Sequence, residues 1–354
     1  MAQQVNGAAI VVGGAVAKGA FAAGALAYVT EKLQQENRPI RSLVGTSSGA
    51  LNATKIACGV RAGEPARAAN ELVELWLSTA RARKFAEIDP WSALVWHGIS
   101  GSDKVMEILE KACPIPESPE HLRSVALRIV VATLRGGPQA HTSFEQVERF
   151  RDADFENGEL RERMFRAAAA SAAVPYAFKP VSLSDVGACV DGGLVNNTPI
   201  KEAIAHDPNI DRVIVIVAEP ADMRLSEKRA ESLANVSLAV RLLDMTVNER
   251  LARDLQEAKD VNDWLETLDG LVADGQMTSA VRKKVIESLY HRDARDFRHI
   301  DLIEIRPAAE LPGNPFKGFF CDRLRSEYVN RGREAADKAW SERKDLDAGM
   351  QPTA

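Results

Sequence analysis

Three clusters of small and polar residues in this chain are spaced for nucleophilic chemistry. The sharpest is Gly45-Thr46-Ser47-Ser48-Gly49, a G-x-S-x-G pentapeptide. Such a turn lifts the central hydroxyl clear of the backbone, and the flanking glycines remove side chains that would clash. Ser47 is central and is the candidate nucleophile; Ser48, the rival hydroxyl, serves better as a backbone N–H donor. The second cluster is Gly13-Gly14-Ala15-Val16-Ala17-Lys18-Gly19. Successive amides in a small-residue turn cradle negative charge. The spacing is G-G-x-x-x-G and not the G-x-G-x-x-G of dinucleotide sites, and no acidic ribose reader follows. Beside a serine elbow the turn reads as an oxyanion hole, with the N–H groups of Gly14, Ala15, Val16 and Ser48 as donors. A tight turn that only packs a helix on a sheet is the plainer reading, and Lys18 is equally a solvated lysine. The third cluster is Asp191-Gly192-Gly193. It reads either as a carboxylate presented to the serine or as an Asx-turn in which Asp191 caps its own backbone.

The surrounding pattern supplies elements to hold these groups. Residues 8–12 read as a buried strand and 20–36 as a helix, with the glycine turn between them. A second strand at 40–44 runs into the serine turn, and a second helix begins at Ala50. Strand, loop, helix, strand, sharp turn and helix in that order predict a parallel sheet covered by helices, an α/β architecture. Further strands are expected at 125–134, 213–218 and 301–306, and helices at 160–173, 225–260, 278–290 and 322–344. The scattered tryptophans and prolines of 60–120 suggest a cap-like helical insertion, and 225–300 a mostly helical extension. The chain divides into one catalytic domain over 1–345 and a frayed tail over 346–354.

Composition removes several function classes. The 354 residues are 45% hydrophobic and 27% charged, with a formal net charge of -5, and no basic stripe marks a nucleic-acid surface. Cys58, Cys113, Cys189 and Cys321 form no CxxC pair, so neither a zinc site nor a disulfide framework is expected, and a reducing, cytoplasmic setting fits. No apolar run is long enough to span a bilayer. The N-terminal apolar stretch lacks a basic flank and reads as a core strand.

In this order the three clusters resemble the patatin-like phospholipases. The likeness continues through Ala50-Leu51-Asn52-Ala53, through ASAAVPYAFKPV at 170–181 and through NNTPI at 196–200. It implies a three-layer α/β/α fold with a mainly parallel sheet. It also implies a Ser47–Asp191 dyad without metal or cofactor, releasing fatty acids from phospholipid or related lipid esters. Gly13, Gly19, Gly45, Gly49, Gly192 and Gly193 are the supporting glycines. Peripheral membrane contact, through Trp91, Leu94, Val95 and Trp96 of the cap, and self-association are compatible with it. One departure stands out: the family's turn is richer in glycine, whereas a positive φ at Val16 is costly. The competing readings are an α/β-hydrolase triad completed by His206, His291 or His299, and a catalytically silent scaffold.

Overall fold

The computed structural model describes residues 6–78, 102–116, 122–134, 143–175, 178–205, 207–221, 235–290, 297–313 and 317–349. Among these residues an eight-stranded sheet lies at the centre. The strands are β1 (Gly7–Val12), β2 (Ile40–Thr46), β3 (Ala126–Thr133), β4 (Glu145–Arg151), β5 (Val181–Leu183), β6 (Gly187–Asp191), β7 (Ile210–Ile216) and β8 (Asp301–Ile305). β3, β2, β1, β7 and β8 lie side by side and parallel.

The central strands are near-continuous apolar runs because both faces are covered. Along β1, Ala8, Ile10 and Val12 enter one hydrophobic core, while Ala9 and Val11 enter another on the opposite face. The first core is roofed by α1 (Gly19–Gln35), α2 (Ser48–Arg61), α3 (Pro65–Ser78), α4 (Ser102–Ala112), α5 (Gly158–Ser171) and the C-terminal α9 (Asp322–Gly349). The second is closed by α6 (Ile200–Ile204), through Ile200 and Ala203, and by the 39-residue α7 (Asn235–Ala273), through Leu251 and Leu255. This gives the expected three layers. α8 (Ser279–Tyr290) packs on the far half of α7, where Leu265, Leu268 and Ile286 make a small cluster of their own.

The sheet edge at β3 builds the site. β4 pairs with β3 from Ala126 to Ala132, so it occupies one whole edge. On the other edge β2 pairs only as far as Thr46, opposite Val130. β6 takes over there, running antiparallel, with Asp191 opposite Val131. One strand leaves at the serine turn and another arrives at the aspartate, end to end along the same neighbour.

α1 crosses α9 at close range. A Cβ on Gly24 would lie 2.0 Å from the Val329 carbonyl oxygen, and one on Gly332 would lie 2.0 Å from that of Phe21. Backbone cannot yield as a side-chain tip does. Gly24→Ala is therefore expected to cost about 3 kcal/mol by forcing the helices apart, seen as a lower urea midpoint.

Within 60–120 the described residues include α3 and α4. α3 joins the helical layer against α1 and α2, and Trp76 is buried with its indole N–H donating to Asn52 Oδ1 at 2.8 Å. α4 packs on the same core through Val105 and Leu109. Trp91, Leu94, Val95 and Trp96 lie outside the described residues. At the other end, α9 runs to Gly349, into the segment expected to be a tail.

Candidate active site

Ser47 follows the last residue of β2 and forms the N-cap of α2, with φ 55° and ψ −132°. Few non-glycine residues adopt a positive φ, and such strain persists only where neighbours enforce it. Here they do. The Ser47 N–H donates to Ser171 Oγ at 2.8 Å, and that hydroxyl donates to the Val130 carbonyl at 2.6 Å. A Cβ on Gly49 would lie 2.1 Å from the Val12 carbonyl oxygen, so only glycine lets the start of α2 sit against the end of β1. The N-terminus of α2 and its partial positive charge thus face the Ser47 side chain.

Asp191 ends β6. Its Oδ1 accepts from the Gly193 N–H at 2.8 Å, as in an Asx-turn, and its Oδ2 accepts from Ser47 Oγ at 2.6 Å. The two sequence readings of this residue are both present, one on each carboxylate oxygen. A Cβ on Gly192 would lie 2.1 Å from the Val130 carbonyl oxygen, so the turn can press against β3 only with glycine there. Both Ser47 and Asp191 are almost wholly buried, at 5% and 6% exposure. Burial pushes the Asp191 carboxyl up to about 6, opposed by its hydrogen bonds from Ser47 and Gly193.

The glycine turn lies alongside. The Gly14 N–H donates to Asn197 Oδ1 at 2.7 Å and the Ala15 N–H to Ser48 Oγ at 3.0 Å. The N–H groups of Val16 and Ser48 make no hydrogen bond to a described residue. Val16 opens the 3-10 turn Val16–Lys18 with φ 52°, the costly conformation anticipated from its type. Lys18 is half-buried at the end of that turn. Among the described residues no cluster of His, Cys, Asp or Glu could hold a metal ion.

The family model described as patatin-like phospholipase matches residues 10–204, more than half of the chain and the whole of this site. The chain belongs to that family. It is therefore a carboxylic ester hydrolase acting on lipid esters through a serine-based dyad. No curated protein sequence matches the chain. Among solved structures it is similar to VipD from Legionella pneumophila, at 14% identity and TM-score 0.39, over 96% of this chain and 67% of that one. It is also similar to the type III effector protein ExoU, at 13% identity and TM-score 0.30, over 82% and 70%. ExoU from Pseudomonas aeruginosa in complex with SpcU gives 16% and 0.30, over 71% and 53%.

In this patatin-like chain Ser47 Oγ and Asp191 Oδ2 touch directly, with no imidazole between them. His299 lies just before β8, at the opposite end of the sheet, with Nε2 3.7 Å from Asp269. His206 and His291 lie outside the described residues. Two buried side chains at the site, Ser171 and Asn197, carry no role in the sequence reading. Each sits inside a stretch that resembles the family, but neither residue type announces a backbone partner more than a hundred positions away.

Proposed function

We propose that Ser47 is the nucleophile and Asp191 the base that release fatty acids from phospholipid or a related lipid ester. The 2.6 Å hydrogen bond from Ser47 Oγ to Asp191 Oδ2 carries the reading. As Oγ attacks the ester carbonyl carbon, its proton passes to Oδ2. Negative charge then gathers on the carbonyl oxygen, and the N–H groups of Ser48 and Val16 are the donors left to meet it. Collapse of the tetrahedral intermediate expels the alcohol, which takes the proton from Asp191. Water, deprotonated by the same carboxylate, then attacks the acyl-enzyme, frees the fatty acid and restores Ser47.

The burial of Asp191 supports this role. An ordinary carboxylate is too weak a base for an alcohol, and a raised pKa narrows the gap. A pH consequence follows. Only the ionised carboxylate accepts the proton, so kcat/KM falls about tenfold per pH unit below a midpoint near 6 and levels off above it. A rate profile flat from pH 4 to 8 on a soluble chromogenic ester would remove Asp191 as base.

A lipid substrate, which resides in bilayers, supports peripheral membrane contact. No helix among the described residues is long and apolar enough to cross a membrane. Leu134 and Phe144, exposed at 55% and 60%, stand beyond the end of β3, at the same end of the sheet as Ser47. The unpaired thiols of Cys58, Cys113, Cys189 and Cys321 fit a reducing, cytoplasmic setting. The packing of α9 on α1 supports one catalytic domain reaching from β1 to α9, with α7 and α8 as its extension.

The decisive experiment is labelling of the folded protein by a serine-directed phosphonate. Mass mapping of the modified peptide is expected to find Ser47. Fatty-acid release from phosphatidylcholine–phosphatidylglycerol vesicles should fall in step with labelling. Modification at Ser48 alone, or release that continues in fully labelled protein, would defeat the proposal.

A further inference from the structure

Asn197 makes two hydrogen bonds to one residue of the glycine turn. Its Oδ1 accepts from the Gly14 N–H at 2.7 Å, and its Nδ2 donates to the Gly14 carbonyl at 3.2 Å. The side chain is 7% exposed. A primary amide accepts from an N–H through its oxygen and donates to a C=O through its nitrogen, both at once and without charge. Gly14 is itself pressed between this amide and the nucleophile: a Cβ there would lie 2.3 Å from Ser47 Cβ and 3.0 Å from Asn197 Oδ1.

The loop bearing Asn197 is the one that leaves Asp191. It is anchored by the Asn196 N–H donating to the Gly192 carbonyl at 2.9 Å and by Thr46 Oγ1 donating to the Asn196 carbonyl at 3.0 Å. One short segment therefore fixes the aspartate, touches the end of β2 and grips the turn after β1. The Gly14 amide is consumed by this grip, so it is not free to face a substrate oxygen.

Resting on the assignment of Ser47 and Asp191, we propose that Asn197 is a positioning residue. It locks the glycine turn in register with Ser47, so that the remaining amides stand where charge develops. The group must also be neutral. A Cβ on Gly193 would lie 3.0 Å from Asp191 Oδ1 and 3.5 Å from Asn197 Oδ1. The two oxygens are thus no more than about 6.5 Å apart, near enough for a second carboxylate to disturb the first.

The test uses the full chain, a soluble chromogenic acyl ester and the variants N197A and N197D beside S47A. N197A is expected to lower kcat about 100-fold, the loss typical of a misplaced oxyanion donor, while KM changes less than threefold and the pH midpoint stays at the wild-type value. N197D, close in shape, keeps the acceptor but loses the donor. It is expected to lose activity and to move the pH midpoint of kcat/KM upward by about one unit. Hydrogen exchange supplies a readout independent of turnover: both variants should speed exchange in the peptide containing Gly14 and leave the peptide containing Ser171 protected. Wild-type kcat in N197A, unchanged exchange at Gly14, or an unshifted midpoint in folded N197D would each overturn the proposal. If N197A does not fold, N197D and its exchange pattern decide. Full activity in S47A would instead strike the Ser47–Asp191 assignment, and this proposal with it.

Discussion

Ser47→Ala is expected to lower fatty-acid release by about four orders of magnitude or more, the loss seen when a serine nucleophile acting with its base is removed. The fold should survive. The elbow is held through the backbone, by the Ser47 N–H on Ser171 and by the close approach of Gly49 to β1, and neither uses the Ser47 hydroxyl. Alanine also keeps the Cβ, so the strained φ of 55° is no worse than in the wild type. Asp191 does change: the Ser47 hydrogen bond holds its pKa down, so the carboxyl of the variant should titrate above 6. Release from vesicles, compared at matched circular dichroism, reads the first effect. Activity within tenfold of wild type would mean that another hydroxyl, Ser48 first among them, is the nucleophile.

Asp191→Asn should act on two properties in opposite directions. Activity falls by about 10⁴-fold, because the amide cannot take the serine proton. Stability rises at neutral pH. Asp191 has a folded pKa of about 6 against 3.8 for the free side chain. Between those values the folded state binds more proton than the unfolded chain, so the aspartate lowers stability as pH climbs through the window. Above pH 6 the penalty is complete and amounts to about 3 kcal/mol; below 3.8 it is absent. An asparagine, neutral throughout, escapes it and can still accept from Gly193 through its Oδ1. Urea unfolding of both proteins at pH 8 and pH 4 checks this: a wide gap at the first and a closed gap at the second. Parallel stabilities at both would show that burial does not raise the carboxyl. A buried carboxylate kept at the expense of stability is the pattern expected of a functional group.

Much of this architecture is legible in the chain itself. β1, β2, β3 and β7 announce themselves as buried apolar runs, and their helices by periodicity, because a parallel sheet covered on both faces leaves little room for polar residues. β4 is the informative exception. Its sequence, Glu145-Gln146-Val147-Glu148-Arg149-Phe150-Arg151, is mostly charged, as suits an outer strand, and no strand is expected there from hydrophobicity. β5 and β6 are too short to show a period. Their absence from the sequence reading hides the reason Asp191 meets Ser47, which is the exchange of β2 for β6 along β3. The glycine turn is readable as a turn, but the occupation of its Gly14 amide depends on Asn197, 183 positions away.

The C-terminal helix adds a matter of timing. α9 buries Tyr328 and Trp340 completely; Trp340 donates to Glu36 at the end of α1, and Tyr28 of α1 donates to Asp337. α1 in turn begins where the glycine turn ends. During synthesis, Ser47 and Asp191 leave the ribosome well before this brace does, and β8 leaves only shortly ahead of it. The turn beside Ser47 therefore gains this support only once α9 has emerged, and a nascent chain stalled before Asp322 carries Ser47 and Asp191 without the brace. A site braced by a helix that follows it so late in the chain receives its last support long after its own residues have been made.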